Sequence, residues 1–230
     1  MPKVAVSLYD MTGNMVRPLA EKGYTCYCFD IQNQDTVEYC GLGSISFLYA
    51  DLLDIDWQLS IIDLAPEILF AFPPCTDLAV SGAKHFEAKY KVNPNYREEA
   101  MSLVYAARDI ADSIGCPYMI ENPVSVISSE WRKPDYIFHP YQYSGYLPED
   151  DVHPTWPEYI APRDLYPKKT CLWTGNGFTM PEMRIVTIPT TLSTQQLKLG
   201  GKSLKTKNIR SATPRGFARA MAEHICQKQS

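Results

Sequence analysis

The feature that most restricts what this chain can fold into is a repeating texture through its first half. Short apolar runs of strand length, each closed by an acid or a proline, alternate with stretches whose apolar residues fall at helical spacing. Val4–Leu8 is the first such run, followed by a turn at residues 10–14 and by Met15, Val16, Leu19 and Ala20 at helical spacing. Residues 24–31 read as a second strand carrying Asp30 near its end, and residues 45–49 as a third followed by Asp51. Residues 67–72 read as a fourth, stopped by Pro73 and Pro74, which cannot continue an interior ladder. A helix comes next: Asn95 and Glu98 stand at capping-box spacing, Leu103, Val104, Ala107, Ile110, Ala111 and Ile114 share one face, and Gly115 ends it. Residues 117–120 make a fifth strand closed by Glu121, Asn122 and Pro123. Strands alternating with helices predict an α/β fold with a doubly wound, mostly parallel sheet.

At 230 residues and 45% apolar content the chain can bury one full core, and no linker-like stretch divides it, so residues 1–230 are expected to form a single domain. Within it, residues 1–123 supply the core. Residues 124–182 read as ordered but irregular, rich in proline and aromatic residues, with late strands near 136–139 and 170–174. Residues 183–212 form a short basic segment of little periodicity, and residues 213–227 a last helix opened by Thr213 and Pro214. The N-terminus has no charged-then-apolar signal pattern, and no apolar run approaches the roughly 18–20 residues needed to span a bilayer. A cytoplasmic protein with no membrane partner is expected. Seven scattered cysteines suit a reducing compartment better than a disulfide framework, and Cys26 and Cys28 have no second pair at zinc-ligand spacing, so no metal is expected.

The formal charge of −4 conceals a segregation. Residues 1–182 carry 13 Lys and Arg against 25 Asp and Glu, whereas residues 183–222 carry eight basic residues and no acid. A basic segment set apart in this way suits contact with phosphates, through Lys198, Lys202, Lys205, Lys207 and Arg210; the blander alternative is a solvated, lysine-bearing loop.

In a doubly wound sheet, ligands bind beyond the carboxyl ends of the strands. The first strand end carries Asp10 to Asn14, with Gly13 letting backbone approach a ligand; the second carries Asp30, an acceptor for ribose hydroxyls; the third carries Asp51, an acceptor for an adenine amino group. Acids often close strands for solubility alone, yet the set of three resembles a nucleoside-cofactor site. The fourth end carries Cys75 after two rigid prolines, and the fifth Glu121. A buried structural cysteine and a salt-bridged glutamate are the ordinary readings of each alone. Together they suit one reaction. Carbon 5 of cytosine is not nucleophilic until a thiolate adds at carbon 6 while an acid protonates or hydrogen-bonds ring nitrogen 3.

These residues resemble the cytosine-5 DNA methyltransferase family in the family's order over most of the chain. Pro74-Cys75 with Leu78, Ala79 and Gly82 is similar to the family's nucleophile loop, and Glu121-Asn122 to its glutamate-asparagine motif. Residues 9–14, Asp30 and Asp51 are similar to its S-adenosylmethionine-binding motifs, residues 167–175 to its basic strand, and residues 211–225 to its last helix. The resemblance implies a Rossmann-like class I methyltransferase fold, with S-adenosylmethionine as cofactor and DNA as partner. It implies Cys75 as nucleophile, Glu121 as acid and Lys168 as supporting cation. It implies cofactor contacts at Tyr9, Asp10, Thr12, Gly13, Asn14, Asp30, Ile31, Asp51, Leu52, Pro73 and Ser211, and nucleic-acid contacts at Ser81 and Gly82 beside the basic segment.

The chain departs from the family at several points. Thr76 replaces the usual glutamine, Pro123 a valine, the first loop lacks a second glycine, and Lys168 and Thr170 stand where paired arginines are usual, an exchange that is not neutral. Only 35 residues separate Gly175 from Ser211, where typical members insert a recognition domain. Relaxed specificity, or a protein partner or second copy that supplies recognition, is the corresponding expectation. Two alternatives stand beside the leading one: a pyrimidine C5 methyltransferase acting on RNA or a nucleotide, and an inactive relative serving as a binding protein.

Overall fold

The structure is a computed structural model that describes residues 3–190, 193–200 and 203–228. The chain divides into two compact units, Met1–Ile137 with Thr170–Phe178, and Phe138–Lys169 with Thr179–Ser230.

Among the described residues the strands form one eight-stranded sheet. They are β1 (Val4–Leu8), β2 (Thr25–Asp30), β3 (Thr36–Cys40), β4 (Gly43–Tyr49), β5 (Ile68–Ala71), β6 (Tyr118–Pro123), β7 (Tyr136–Phe138) and β8 (Thr170–Gly175), in the order β3-β4-β2-β1-β5-β6-β8-β7. β4, β2, β1, β5 and β6 run parallel, while β3 pairs antiparallel with β4 and β8 antiparallel with β6. The chain passes from the first unit to the second within β7.

Helices α1 (Arg17–Ala20), α2 (Ile55–Asp63), α3 (Phe86–Val92), α4 (Tyr96–Ile114) and α5 (Ile127–Glu130) belong to the first unit. Val6 and Leu8 of β1, Leu69 and Ala71 of β5 and Ile120 of β6 pack with Ile61 of α2 and with Val104, Ala107, Ile110 and Ala111 of α4. That is the apolar face read from the helical spacing. On the opposite face the Cys26 thiol lies 3.6 Å from the Val16 carbonyl at the head of α1. Helices therefore cover both faces of a mostly parallel sheet. The sheet grows outward from β1 in two directions, so the strand order reverses between β1 and β5, and in doubly wound sheets generally ligands bind at such a reversal.

Two local expectations need correction. β3 stood in no apolar pattern because its residues are almost all exposed: an edge strand with both faces open has no burial to impose alternation. Arg17 forms a two-bond pair with Glu38 on this edge, the kind of charge that discourages further strand pairing. The predicted box between Asn95 and Glu98 does not form, since the Asn95 side chain makes no cap bond. Asn95 does occupy the cap position, and the Asn93 side chain before it accepts from the Asn95 amide at 3.0 Å and donates to Glu99 at 2.8 Å. Gly115 does end α4, at φ +75.

In the second unit the basic segment, expected without periodicity, holds α6 (Thr194–Lys198) and α7 (Leu204–Ser211); the last helix is α8 (Arg215–Gln227). Ser203 caps α7 by accepting from the Thr206 amide. Ile160, Tyr166, Leu199, Ile209 and Ala212 form one apolar cluster, and Phe217 stacks on Phe138 at 4.4 Å. Thr213 does not cap α8 as its sequence position predicted: the cap residue is Pro214, and the carboxylate of Asp164 accepts from the Gly216 amide at 2.9 Å. Beside it, Asp151 takes two bonds from Arg215, at 2.8 and 2.6 Å. His153 Nδ1 accepts from the amides of Thr155 and Trp156, which fixes its remaining proton on Nε2.

Burial pushes the Asp164 carboxyl up to about 6, and burial followed by the Arg215 charge holds His153 down at about 4. Asp164 therefore favours the folded state most below its unfolded value near 4, and that contribution is lost as pH rises to about 6. Neutral His153 acts in the opposite sense, favouring the fold above its unfolded value near 6.5 and losing that contribution as pH falls to about 4. In urea melts between pH 4 and pH 7.5, Asp164→Asn should be less stable than wild type at the acid end by up to about 3 kcal/mol more than at the neutral end, and His153→Gln should show the reverse trend. Parallel stability curves for wild type and both variants would contradict this pairing.

Candidate active site at the carboxyl edge of the sheet

The loop after β1 is built around one carboxylate. Asp10, 4% exposed, accepts on Oδ1 from the Thr12 amide, the Thr12 hydroxyl and the Gly13 amide, and on Oδ2 from the Ser7 hydroxyl, all within 2.9 Å. The Asn14 amide donates to the Thr12 hydroxyl and so tightens the same turn. Gly13 has φ +64, a left-handed conformation that favours glycine, and a Cβ there would press on the tip of the Phe47 ring at 2.9 Å. Asp10 thus shapes the loop with its side chain.

Tyr9 carries a left-handed φ of 58 and sends its hydroxyl to the Leu103 carbonyl at 2.8 Å. Burial pushes its phenol far above its ordinary range, and the charges of Asp51 and Asp30 push it further, which gathers these three residues into one region. Asp30 accepts from the Gln32 amide at 2.7 Å, and burial raises its carboxyl above the usual range. Asp51, exposed, accepts from the Leu53 amide. Ile31 is exposed beside Asp30, whereas Leu52 is buried in the core. Asn33 also belongs to this edge: its amide donates to the carbonyls of Asp10 and Cys28 and ties the β1 and β2 tips together. No periodicity marked it in the sequence. Next to this edge Met11, Gln32, Asn33, Gln34, Thr36 and Phe47 line a cleft of about 360 Å³.

β5 and β6 are parallel neighbours in the register Leu69 to Tyr118, Phe70 to Met119 and Ala71 to Ile120, so one further step brings Phe72 opposite Glu121. Beyond that step the side-chain amide of Asn122, 1% exposed, donates to the Pro73 carbonyl at 2.9 Å. Pro73 is buried, and the chain then turns through the short 3-10 stretch Cys75–Asp77, where the Cys75 carbonyl accepts from the amides of Leu78 and Ala79. A bridge between Ala79 and Ser125, with amide bonds from Val80 to Val124 and from Val126 to Leu78, stitches the two strand-end loops together. Cys75 and Glu121 are each half-buried. Among the buried thiols, burial pushes Cys26 up to about 12, Cys116 up to about 11 and Cys28 well above the ordinary thiol value, which keeps those three inert. Ser81 and Gly82 lie in the 3-10 stretch Val80–His85 that follows, with Ser81 exposed.

The remaining expected site residues belong to the second unit. Lys168 donates to the Arg210 carbonyl at 2.9 Å, Arg210 to the Leu199 carbonyl at 2.7 Å, and Lys198 to the Glu158 carbonyl at 3.1 Å. The Lys205 ammonium lies 5.3 Å from the centre of the Tyr159 ring, and Lys207 is exposed. Ser211 bonds within its own helix, to the Asn208 carbonyl. Lys202 lies outside the described residues.

No family model matches the chain, and no curated protein matches it. Among solved structures it is similar to one described as a candidate DNA modification methyltransferase encoded within a prophage, from Escherichia coli. The identity is 9% and the TM-score 0.44, over 75% of this chain and 46% of that one. The chain thus spans about half the length of that structure, and at this identity and TM-score the likeness decides neither fold nor function.

Asn122→Ala should leave the Pro73 carbonyl buried without its donor, costing about 1–3 kcal/mol in urea unfolding. A variant as stable as wild type would mean that the carbonyl finds another donor and that this link does not hold the loop.

Proposed function

We propose that this chain is an S-adenosylmethionine-dependent methyltransferase that acts on carbon 5 of cytosine in DNA through a covalent bond to Cys75. The observation that carries the reading is the buried bond from Asn122 to the Pro73 carbonyl, which joins the Pro-Pro-Cys loop to the strand end bearing Glu121. The reversal of strand order between β1 and β5 supports a Rossmann-like ligand crevice at the same edge.

The residues at the β1, β2 and β4 tips fit the cofactor's chemistry. Asp30 and Asp51 are carboxylate acceptors suited to ribose hydroxyls and an adenine amino group, and the exposed side chains of Ile31 and Leu53 offer apolar surface for a base. When bound, the cofactor supplies an electrophilic methyl group on a sulfonium.

In this reading the Cys75 thiolate adds to carbon 6 of a base flipped out of the duplex, because the ring face has to be reached. Glu121 in its acid form gives a proton or a hydrogen bond to ring nitrogen 3, which places electron density on carbon 5. After carbon 5 has gained the methyl group, loss of its proton to a base and departure of the Cys75 sulfur restore the ring. The exposed Lys205 and Lys207, with Lys202, supply phosphate contacts on the second unit.

DNA carrying 5-fluorocytosine should form a denaturation-resistant adduct with the protein in the presence of S-adenosylmethionine, because fluorine blocks the final elimination. Cys75→Ala should bind cofactor yet form no adduct and transfer no methyl group. Cofactor binding without any adduct in the wild type would turn the reading toward an inactive relative, and turnover by pure Cys75→Ala would remove the nucleophile assignment.

Neutralising Lys202, Lys205 and Lys207 together should weaken DNA binding and flatten its salt dependence by about 0.9 in log-log slope for each phosphate that is no longer neutralised. An unchanged slope would mark these lysines as merely solvated.

A further inference from the structure

The geometry points to Lys89 as the positioning residue that holds the Cys75 turn in place. This inference rests on the reading of Cys75 as the nucleophile. Helix α3 contributes no buried residue to the fold, so burial of its own side chains does not fix it. Side-chain contacts fasten it instead. At its start the Phe86 ring sits 6.1 Å from Tyr96 and 5.0 Å from the Arg97 guanidinium. At its middle the Lys89 ammonium donates to the Thr76 carbonyl at 2.7 Å and to the Asp77 carboxylate at 2.6 Å.

Those two acceptors belong to the residues immediately after Cys75. Within itself the turn is closed by the amides of Leu78 and Ala79 on the Cys75 carbonyl, while its flanks are anchored at Pro73 and at Val80. Lys89 thus reaches the middle of a segment that is pinned at both ends. It does so with two donors on one flexible stem, one on backbone and one on charge. The ion pair is partly exposed, at 29% and 37%, so its effect on stability is small. Its effect on where the sulfur sits is a separate quantity, since a displacement of about 1 Å at a reacting atom can cost about a hundredfold in rate.

The test uses the full-length protein. In Lys89→Met, hydrogen exchange of the Leu78 and Ala79 amides should quicken by about fivefold or more, while the Val80 and Val126 amides, anchored to Val124 and Leu78, keep their protection. The kcat for methyl transfer should fall about tenfold with KM for DNA held within about twofold, and Lys89→Arg should restore most of both changes. Asp77→Asn, which removes the charged half of the contact, should move exchange and kcat in the same direction and serves if Lys89→Met folds poorly. Unaltered exchange in folded variants would overturn the proposal, as would faster exchange with an unaltered kcat. Faster exchange in the variants of a protein that forms no adduct even as wild type would leave the tether standing and overturn the methyltransferase reading instead.

Discussion

The carbonyl oxygen of Pro73 is buried where the sheet ends, and neither Pro73 nor Pro74 brings an amide hydrogen of its own to that edge. A buried carbonyl needs a donor, and the Asn122 side chain supplies it from the tip of the neighbouring strand. The exchange of one backbone ladder bond for one side-chain bond has geometric consequences. It releases the chain from the sheet at a fixed point, so the turn at Cys75–Asp77 starts from a defined place, and it orders the strand end that carries Glu121. The bridge between Ala79 and Ser125 then repeats the connection one step further out. Two strand ends that are remote in sequence become one stitched surface.

The parallel strands and α4 were legible in the sequence because burial on both sides leaves an unbroken apolar run, and burial on one side leaves a helical period. β3 was not, since its exposed residues answer to no core. The helices α6 and α7, five and eight residues long, are too short for a helical period to stand out. The caps differ for a related reason: Asn95 holds the cap position without a side-chain cap bond, and the Gly216 amide of α8 is satisfied by Asp164, 52 residues earlier. Local pattern reveals which residue types would suit a helix end, and tertiary structure decides which one is present.

At the candidate site, residue types at strand tips could be read directly, because strand ends announce themselves through prolines and acids. What the sequence did not reveal is how those tips are held. Asp10 uses its carboxylate to close its own loop, Asn33 crosses between two strand ends, and Lys89 reaches back to the turn after Cys75. Each of these bonds joins positions that no periodicity links. A lysine among several near residue 84 to residue 91 carries no mark of being the one that is engaged.

The carboxylate of Asp164 at the head of α8 also bears on the order in which the second unit can assemble. The Gly216 amide in the first turn of the helix finds its acceptor in a turn made 52 residues before it. On a ribosome the 151–164 turn emerges first and waits, carrying an acid whose donor at Gly216 appears only 52 residues later. Pairings of such long sequence separation slow folding by the entropy of closing the intervening loop. A nascent chain stopped short of residue 216 therefore lacks the donor that satisfies the Asp164 carboxylate.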